Sequence, residues 1–160
     1  MRIFLLLGML AAGLAAVPAW ADFAAGLAAY QKGDYVTAAK EWLPLAQQGD
    51  PGDQFNIGLM YEQGQGLPQD YAEAFMWFKR AADQDYTKAQ HNLGAMFATG
   101  EGVKRDYVQA YVWLNICAAK GDAGCASQRD QIAKKLKASK LTEAQRLSTA
   151  FTPRKESDNK

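Results

Sequence analysis

The chain of 160 residues is 49% hydrophobic and 22% charged, a composition typical of a globular domain with one continuous core. Without Arg2, which lies in a predicted leader, 17 basic residues balance 17 acidic ones, so no overall charge would draw the remaining chain to nucleic acid or to an anionic surface. Acidic residues outnumber basic ones 13 to 8 over residues 22–122, whereas basic residues outnumber acidic ones 9 to 4 over residues 123–160. A solvated helix face with a tail accounts for the basic end, and a basic docking site is the alternative.

The first 21 residues have the three parts of a secretory signal peptide. Met1 and Arg2 give a positive start, residues 3–14 are almost entirely apolar, and Pro18-Ala-Trp-Ala21 ends the segment with small residues. We therefore predict cleavage after Ala21 and a periplasmic or secreted protein without a stable membrane span. Retention of the segment as a membrane anchor is the alternative, and lipid attachment is not expected because no cysteine follows the apolar run.

A repeat with an offset of 36 residues follows. Residues 55–71 align with residues 91–107 without a gap, and the identities at this offset include Gly58 with Gly94, Gly64 with Gly100, Gly66 with Gly102, Asp70 with Asp106, and Trp77 with Trp113. A shorter copy lies over residues 30–35. A fixed period of this size indicates stacked supersecondary units.

Each unit is predicted to contain two helices. Apolar residues at three- and four-residue steps mark the first helix, and a second helix is expected from Tyr71 to Ala82 and from Tyr107 to Ala119. The paired glycines between the helices can adopt positive φ and turn the chain. Asp34, Asp70 and Asp106 are then predicted N-caps, with Glu73 or Gln109 completing a capping box in the two full units.

This pattern resembles the Sel1-like repeat, a relative of the tetratricopeptide repeat, because the doubled glycine turn is that family's distinguishing insertion. The resemblance covers residues 24–121 and implies a right-handed all-α solenoid that acts as a protein-interaction scaffold. The predicted organisation is a signal peptide (1–21), a tetratricopeptide-like repeat (22–50), two Sel1-like repeats (51–85 and 86–121), C-terminal capping helices (122–151) and a disordered tail (152–160).

The end of the array departs from the pattern. A further first helix is expected to begin near Ala123, but Arg129 and Asp130 stand at the Leu-Gly positions, which predicts a polar cap that receives no further repeat. Thr142 is predicted as the N-cap of a last helix, with Gln145 at its third position and its end near Phe151.

Cys117 and Cys125 are the only cysteines, and each lies four residues from Gly121, so the two can face each other across a helical hairpin. A signal peptide would deliver them to an oxidising compartment, which favours a disulfide over two buried free thiols. The spacing also looks like the bridge of cysteine-rich Sel1-like proteins. Those relatives have been associated with binding or hydrolysing β-lactams, which makes a β-lactam-binding or hydrolysing protein the enzymatic alternative.

The sequence itself offers little for catalysis. Residues 157–160 match both Ser-x-x-Lys and Ser-Asp-Asn, yet they end a charged tail and lack a Lys-Thr-Gly element. His91 is the sole histidine, which excludes a two-histidine zinc site and favours an aromatic-sized helix-face residue over a general base. We expect no enzymatic activity, no metal and no cofactor.

The resemblance places the binding surface on the first helix of each unit, which lines the concave groove in this family. By register, the groove residues are Gln31, Lys32, Phe55, Glu62, Gln63, Lys88, His91, Ala98 and Thr99. This mixed polar and modestly aromatic surface suits an extended peptide or a partner helix of the cell envelope better than a phosphate chain. Phe55 is also suited to packing between repeats. A structural subunit of an envelope complex, held by the convex face or by the basic stretch from Lys134 to Lys140, is the remaining alternative.

Overall fold

The computed structural model describes residues 21–154, and within them the secondary structure is entirely helical. The eight helices of this part are α1 Phe23–Gln31, α2 Tyr35–Gln48, α3 Pro51–Gln63, α4 Tyr71–Asp83, α5 Thr87–Thr99, α6 Tyr107–Ala118, α7 Ala123–Ala133 and α8 Ala138–Thr149. Helices α1/α2, α3/α4 and α5/α6 form three paired units. Successive units pack through α2 against α3 and through α4 against α5. This stacking confirms the all-α solenoid.

None of the described helices has the length and apolar character needed to cross a membrane. The predicted signal peptide, apart from Ala21, lies outside the described residues, as do residues 155–160 of the predicted tail. The three tail residues that the structure does describe run beside α4, because the Arg154 N–H donates a hydrogen bond of 2.8 Å to the Asp83 carbonyl oxygen.

Two glycines of the repeat bring the helices of a unit close together. Gly58 in α3 lies against the ring of Phe78 in α4, and a Cβ at this position would come within 2.6 Å of that ring. Gly94 in α5 has the same relation to Leu114 in α6, at 2.7 Å. Both larger side chains are fully buried, so the missing Cβ atoms create the space that the core residues fill.

The second glycine of each paired turn joins successive units. Gly66 and Gly102 have φ values of 71° and 68°, which glycine adopts at little cost. Their α-carbons also abut the start of the preceding unit's second helix, since added Cβ atoms would lie within 3.0 Å of the backbone nitrogens of Val36 and Ala72, respectively. A positive φ and a backbone contact at the same residue explain why glycine recurs there.

The predicted aspartate N-caps are confirmed, but the capping boxes are not. The Asp70 carboxylate accepts hydrogen bonds from the N–H groups of Ala72 and Glu73, and Asp106 caps α6 in the same way. A capping box would use the Asp70 N–H as a donor to Glu73, yet this N–H donates to the Tyr61 carbonyl oxygen at 3.0 Å. The Tyr61 carbonyl oxygen therefore accepts the hydrogen bond from the Asp70 N–H that the Glu73 side chain would accept in a capping box.

The last two helices close the array. Helix α7 begins at Ala123 as predicted, and α8 packs against α6 instead of pairing closely with α7. Arg129 and Asp130 stand where the two preceding units have a buried aliphatic residue and a close-packed glycine, Ile57-Gly58 and Leu93-Gly94. The Arg129 guanidinium donates to the Asp130 carboxylate and to the Asn115 side-chain oxygen. Asn115 in turn donates to the Ser148 hydroxyl of α8 at 2.8 Å. The expected polar cap is thus present.

The predicted start of the last helix is wrong. Helix α8 begins at Ala138, one turn earlier, and Thr142 lies inside it with its hydroxyl donating to the Ala138 carbonyl oxygen at 3.0 Å. A threonine hydroxyl that bonds four residues back is satisfied within a helix and does not mark a helix start.

The predicted disulfide is present in the structure. Cys117 at the end of α6 is bonded to Cys125 in the first turn of α7, with 5.9 Å between their α-carbons. Both residues are fully buried. The bridge ties the third unit to its cap, as the two positions around Gly121 suggested.

Candidate protein-binding surface

The helices α1, α3 and α5 and their ends carry the nine residues predicted to line a groove. Five of these side chains are exposed: Gln31, Lys32, Gln63, Lys88 and Thr99. Three are half-buried: Glu62, His91 and Ala98. The exposed set is polar and is contributed by all three units, so it is available to a partner that runs along the stack.

Phe55 does not belong to this surface, and its placement on the groove is wrong. Only 9% of the residue is exposed, and its ring centroid lies 5.6 Å from that of Phe78 and 5.3 Å from that of Tyr86. Tyr86 stands at the start of α5, so the Phe55 ring fills the space between the second and third units.

His91 occupies the position equivalent to Phe55 and also joins neighbouring elements. Its Nε2 atom lies 2.9 Å from the amide nitrogen of Gln128 in α7, and its ring faces the backbone of Gly124. His91, Asp122 and Cys125 bring potential metal-ligand atoms within 4.8 Å of one another. The Cys125 sulfur is bonded to Cys117 and the Asp122 carboxylate caps α7, so this cluster connects α5 to α7 and is not a metal centre.

An acidic edge follows the C-terminal ends of α3 and α5. Burial raises the pKa of Glu62, and the negative charge of Glu101 in the next unit raises it further. The Thr99 hydroxyl donates to the Glu101 carboxylate at 3.2 Å, which orients that acid beside the exposed end of α5. This edge is suited to polar or positively charged groups of a partner.

An apolar recess between α1 and α3 was missed by sequence reasoning. It has a volume of about 190 Å³ and is lined by Phe23, Leu27, Tyr30, Trp42, Asn56 and Leu59. Phe23 is 47% exposed and Leu27 is 38% exposed. Helical spacing contained a signal, because Leu59 lies between the buried Ile57 and Met60 and therefore points away from their stripe.

The residues considered for catalysis form no catalytic arrangement in the described chain. Residues 157–160, which carry the Ser-x-x-Lys match, lie outside the described residues. Both cysteines are in the disulfide, and His91 bonds the amide of Gln128. The described residues therefore supply no catalytic group that would support the β-lactam alternative.

The fold and its motifs have recognisable counterparts among known proteins. A family model described as the Sel1 repeat matches residues 53–86 and 87–122. Proteins with these repeats generally mediate protein–protein interaction and are generally non-catalytic. No curated protein matches the chain.

Solved structures that are similar to this one include two repeat proteins. A protective antigen present in uropathogenic Escherichia coli strains, which displays an SLR fold, is 31% identical with a TM-score of 0.75, and the match covers 79% of this chain and 28% of the antigen. A Sel1 repeat protein from Oxalobacter formigenes is 23% identical with a TM-score of 0.67, and the match covers 82% of this chain and 56% of that protein. The second likeness concerns the fold alone. This chain therefore spans only part of the length of either relative.

Proposed function

Because the chain belongs to the Sel1-like repeat family, we propose that it is a non-enzymatic scaffold that binds a peptide or protein partner in the bacterial cell envelope. The binding surface is the face formed by α1, α3 and α5. One observation carries the proposal: Leu27 and Leu59 line an apolar recess, and the exposed Gln31 and Gln63 follow them by four residues on the same faces of α1 and α3. An apolar anchoring point within a polar rim is the usual composition of a protein-binding site.

The proposed partner is an extended peptide or a helix. The recess between α1 and α3 has room for one apolar side chain, and the acidic edge at Glu62 and Glu101 accepts polar groups from the rest of the segment. Repeated units offer such contacts at regular intervals, which favours a partner that extends along the stack.

Variants at the recess test this proposal. Leu27→Asp and Leu59→Asp place a charge where the partner's apolar side chain would lie, and Met76→Asp on α4 is the matched control because Met76 is 58% exposed on a second helix. Each protein is affinity-purified from the native cell envelope, and the co-purifying proteins are quantified by mass spectrometry. A partner retained by the wild type and Met76→Asp but lost from both recess variants supports the proposal. A partner retained equally by all four proteins contradicts it, provided the melting temperatures agree.

The proposed location is the periplasm or the medium. A disulfide between Cys117 and Cys125 suits an oxidising compartment, and the leader-like sequence before Asp22 suits export. Intact mass spectrometry of the protein from its native host tests both features. We expect a chain that begins at Asp22 and reacts with a maleimide only after reduction; an unprocessed chain, or two maleimide adducts without reduction, would contradict this location.

A further inference from the structure

Two neighbouring turns near the end of the stack carry a group of exposed cations. Lys104 and Arg105 lie in the turn between α5 and α6, and Lys134, Lys135 and Lys137 lie in the turn between α7 and α8. All five residues are exposed. These five residues are called the basic surface below.

Contacts with Tyr107 show that the two turns are adjacent in space. The guanidinium carbon of Arg105 lies 5.5 Å from the centroid of the Tyr107 ring, and the ammonium nitrogen of Lys135 lies 5.0 Å from the same centroid. Tyr107 is the first residue of α6, and the turn between α5 and α6 abuts Tyr71, the first residue of α4, through Gly102. Both turns therefore lie at the same edge of the stack, where a flat partner can contact them together.

Acidic side chains near the basic surface are engaged with other groups. The Asp106 carboxylate accepts two backbone hydrogen bonds at the start of α6, and Glu143 forms an ion pair with Lys140. Glu101 accepts a hydrogen bond from the Thr99 hydroxyl. In the described part of the chain, no carboxylate forms an ion pair with a residue of the basic surface. Its positive charges are therefore available to an external partner.

The repeat fold forms without cations at these positions. At an offset of 36 residues, the first four members of the basic surface correspond to uncharged residues, namely Pro68, Gln69, Ala98 and Thr99. The turn between α3 and α4 and the end of α5 are built from these residues. The cations thus add charge that helix packing does not require, which makes them candidates for binding.

We propose that the basic surface binds the phosphate headgroups of an anionic lipid bilayer. The negative surface potential of such a bilayer attracts each lysine or arginine that approaches it, and clusters of about four to eight such residues are typical of lipid-binding segments. The apolar recess at Leu27 and Leu59 belongs to the first two units, whereas the basic surface belongs to the third unit and the cap. The two sites are separate, so this inference goes beyond the proposed function.

The side chains suit a lipid surface better than an acidic protein segment. Four of the five cations are lysines, whose compact charges on flexible stems adapt to headgroups in many arrangements. Recognition of carboxylates at fixed positions favours the planar fork of arginine, and the one arginine of the basic surface, Arg105, lies against the Tyr107 ring. Cations on two turns at one edge also match a planar array of phosphates.

Co-sedimentation with vesicles measures this binding. The protein recovered from its native host is mixed with vesicles of phosphatidylglycerol and phosphatidylcholine, or with vesicles of phosphatidylcholine alone. The neutral vesicles reveal binding through any other segment of the chain. We expect binding to the anionic vesicles that weakens as salt is added, because the neighbouring Val103 and Leu136 pack against the core and leave charge as the main attraction.

Two double variants with the same change in net charge make the test specific. The first combines Lys134→Gln with Lys135→Gln. The control combines Lys40→Gln on α2 with Arg146→Gln in the last turn of α8, and both of these residues are exposed. We expect the first variant to bind anionic vesicles about tenfold more weakly than the wild type, and the control to change binding by less than about threefold.

Equal binding of the wild type to both kinds of vesicle, or equal losses in the two double variants, would overturn the lipid assignment. Poly-glutamate represents an acidic protein segment, and its binding more tightly than anionic vesicles at equal charge concentration would assign the basic surface to a protein partner instead. None of these outcomes bears on the Leu27 and Leu59 variants, so failure here is distinguishable from failure of the proposed binding face.

Discussion

Asp53 and Ala89 occupy the same position in successive repeats, and the difference between them sets part of the pH dependence of stability. Burial raises the pKa of Asp53 from an ordinary value of 3.8 to about 7 in the folded chain. Below pH 3.8 the carboxyl is protonated in both states and has no effect. Between pH 3.8 and about pH 7 the Asp53 carboxyl is ionised in the unfolded chain and still protonated in the folded chain. The free energy of unfolding therefore falls by about 1.4 kcal/mol per pH unit over this range.

Replacing Asp53 by alanine should remove this penalty. Above pH 7 the full cost applies, on the order of 4 kcal/mol, so Asp53→Ala should be more stable than the wild type at pH 8. The advantage should shrink steadily as the pH falls to 4.5. Urea denaturation at several pH values measures it, and parallel stability curves for the two proteins would show that the Asp53 carboxyl does not titrate as described.

Gly102 is constrained both by its positive φ and by the close approach of another helix, and alanine variants of Gly102 and Gly121 separate the two effects. Its φ of 68° disfavours alanine, and its α-carbon abuts the backbone at Tyr71 and Ala72. Gly121 has a φ of 91° but open space around its α-carbon. Gly121→Ala should cost about 1–2 kcal/mol from backbone strain alone, whereas Gly102→Ala should cost roughly 1–3 kcal/mol more because the units must separate. Thermal denaturation measures both, and equal losses would rule out the close approach as a constraint.

At the scale of helices, Asp106 and Thr142 should contribute differently to stability. Asp106 accepts two backbone hydrogen bonds at the start of α6, so Asp106→Ala should destabilise the protein by about 1 kcal/mol. Thr142 lies inside α8, where alanine is a better helix former, so Thr142→Ala should change stability by less than about 0.5 kcal/mol. A loss at Thr142 as large as that at Asp106 would restore Thr142 as the N-cap and contradict the observed start of α8.

The wrong prediction of Thr142 as an N-cap shows when a capping pattern in the sequence is not sufficient to locate a helix start. A threonine followed three residues later by glutamine is typical of a helix start only if the preceding residues are not helical. Ala138, Ser139 and Lys140 continue the helix backwards to Lys137, which has no side-chain cap. Asp34, Asp70 and Asp106 were predicted correctly because each follows a glycine that ends the previous helix.

For the whole molecule, the period of 36 residues was enough to predict the stack. It located the paired helices, the turn glycines and the polar end at Arg129. It could not predict the apolar recess, because Leu27 belongs to the shortened first unit and the alignment gives it no partner.

Contacts between units were the least predictable. Gln54 and Gln90 are polar residues that a sequence reading assigns to the surface, yet both are fully buried. Each donates to the last turn of the preceding helix, at the carbonyl oxygens of Ala46 and Ala82. Such bonds depend on the distance between stacked helices, which the sequence of a single repeat does not contain.

Site-specific photo-crosslinking in the native cell envelope tests the proposed binding face most directly. A photoreactive residue is placed in turn at Leu59, Gln63 and Thr99 on the first helices, and at Met76 and Lys135 as controls on other faces. Mass spectrometry identifies the adducts. We predict that one protein is captured from all three first-helix positions and from neither control. Capture from Lys135 alone would contradict the account and move the partner to the basic C-terminal helices.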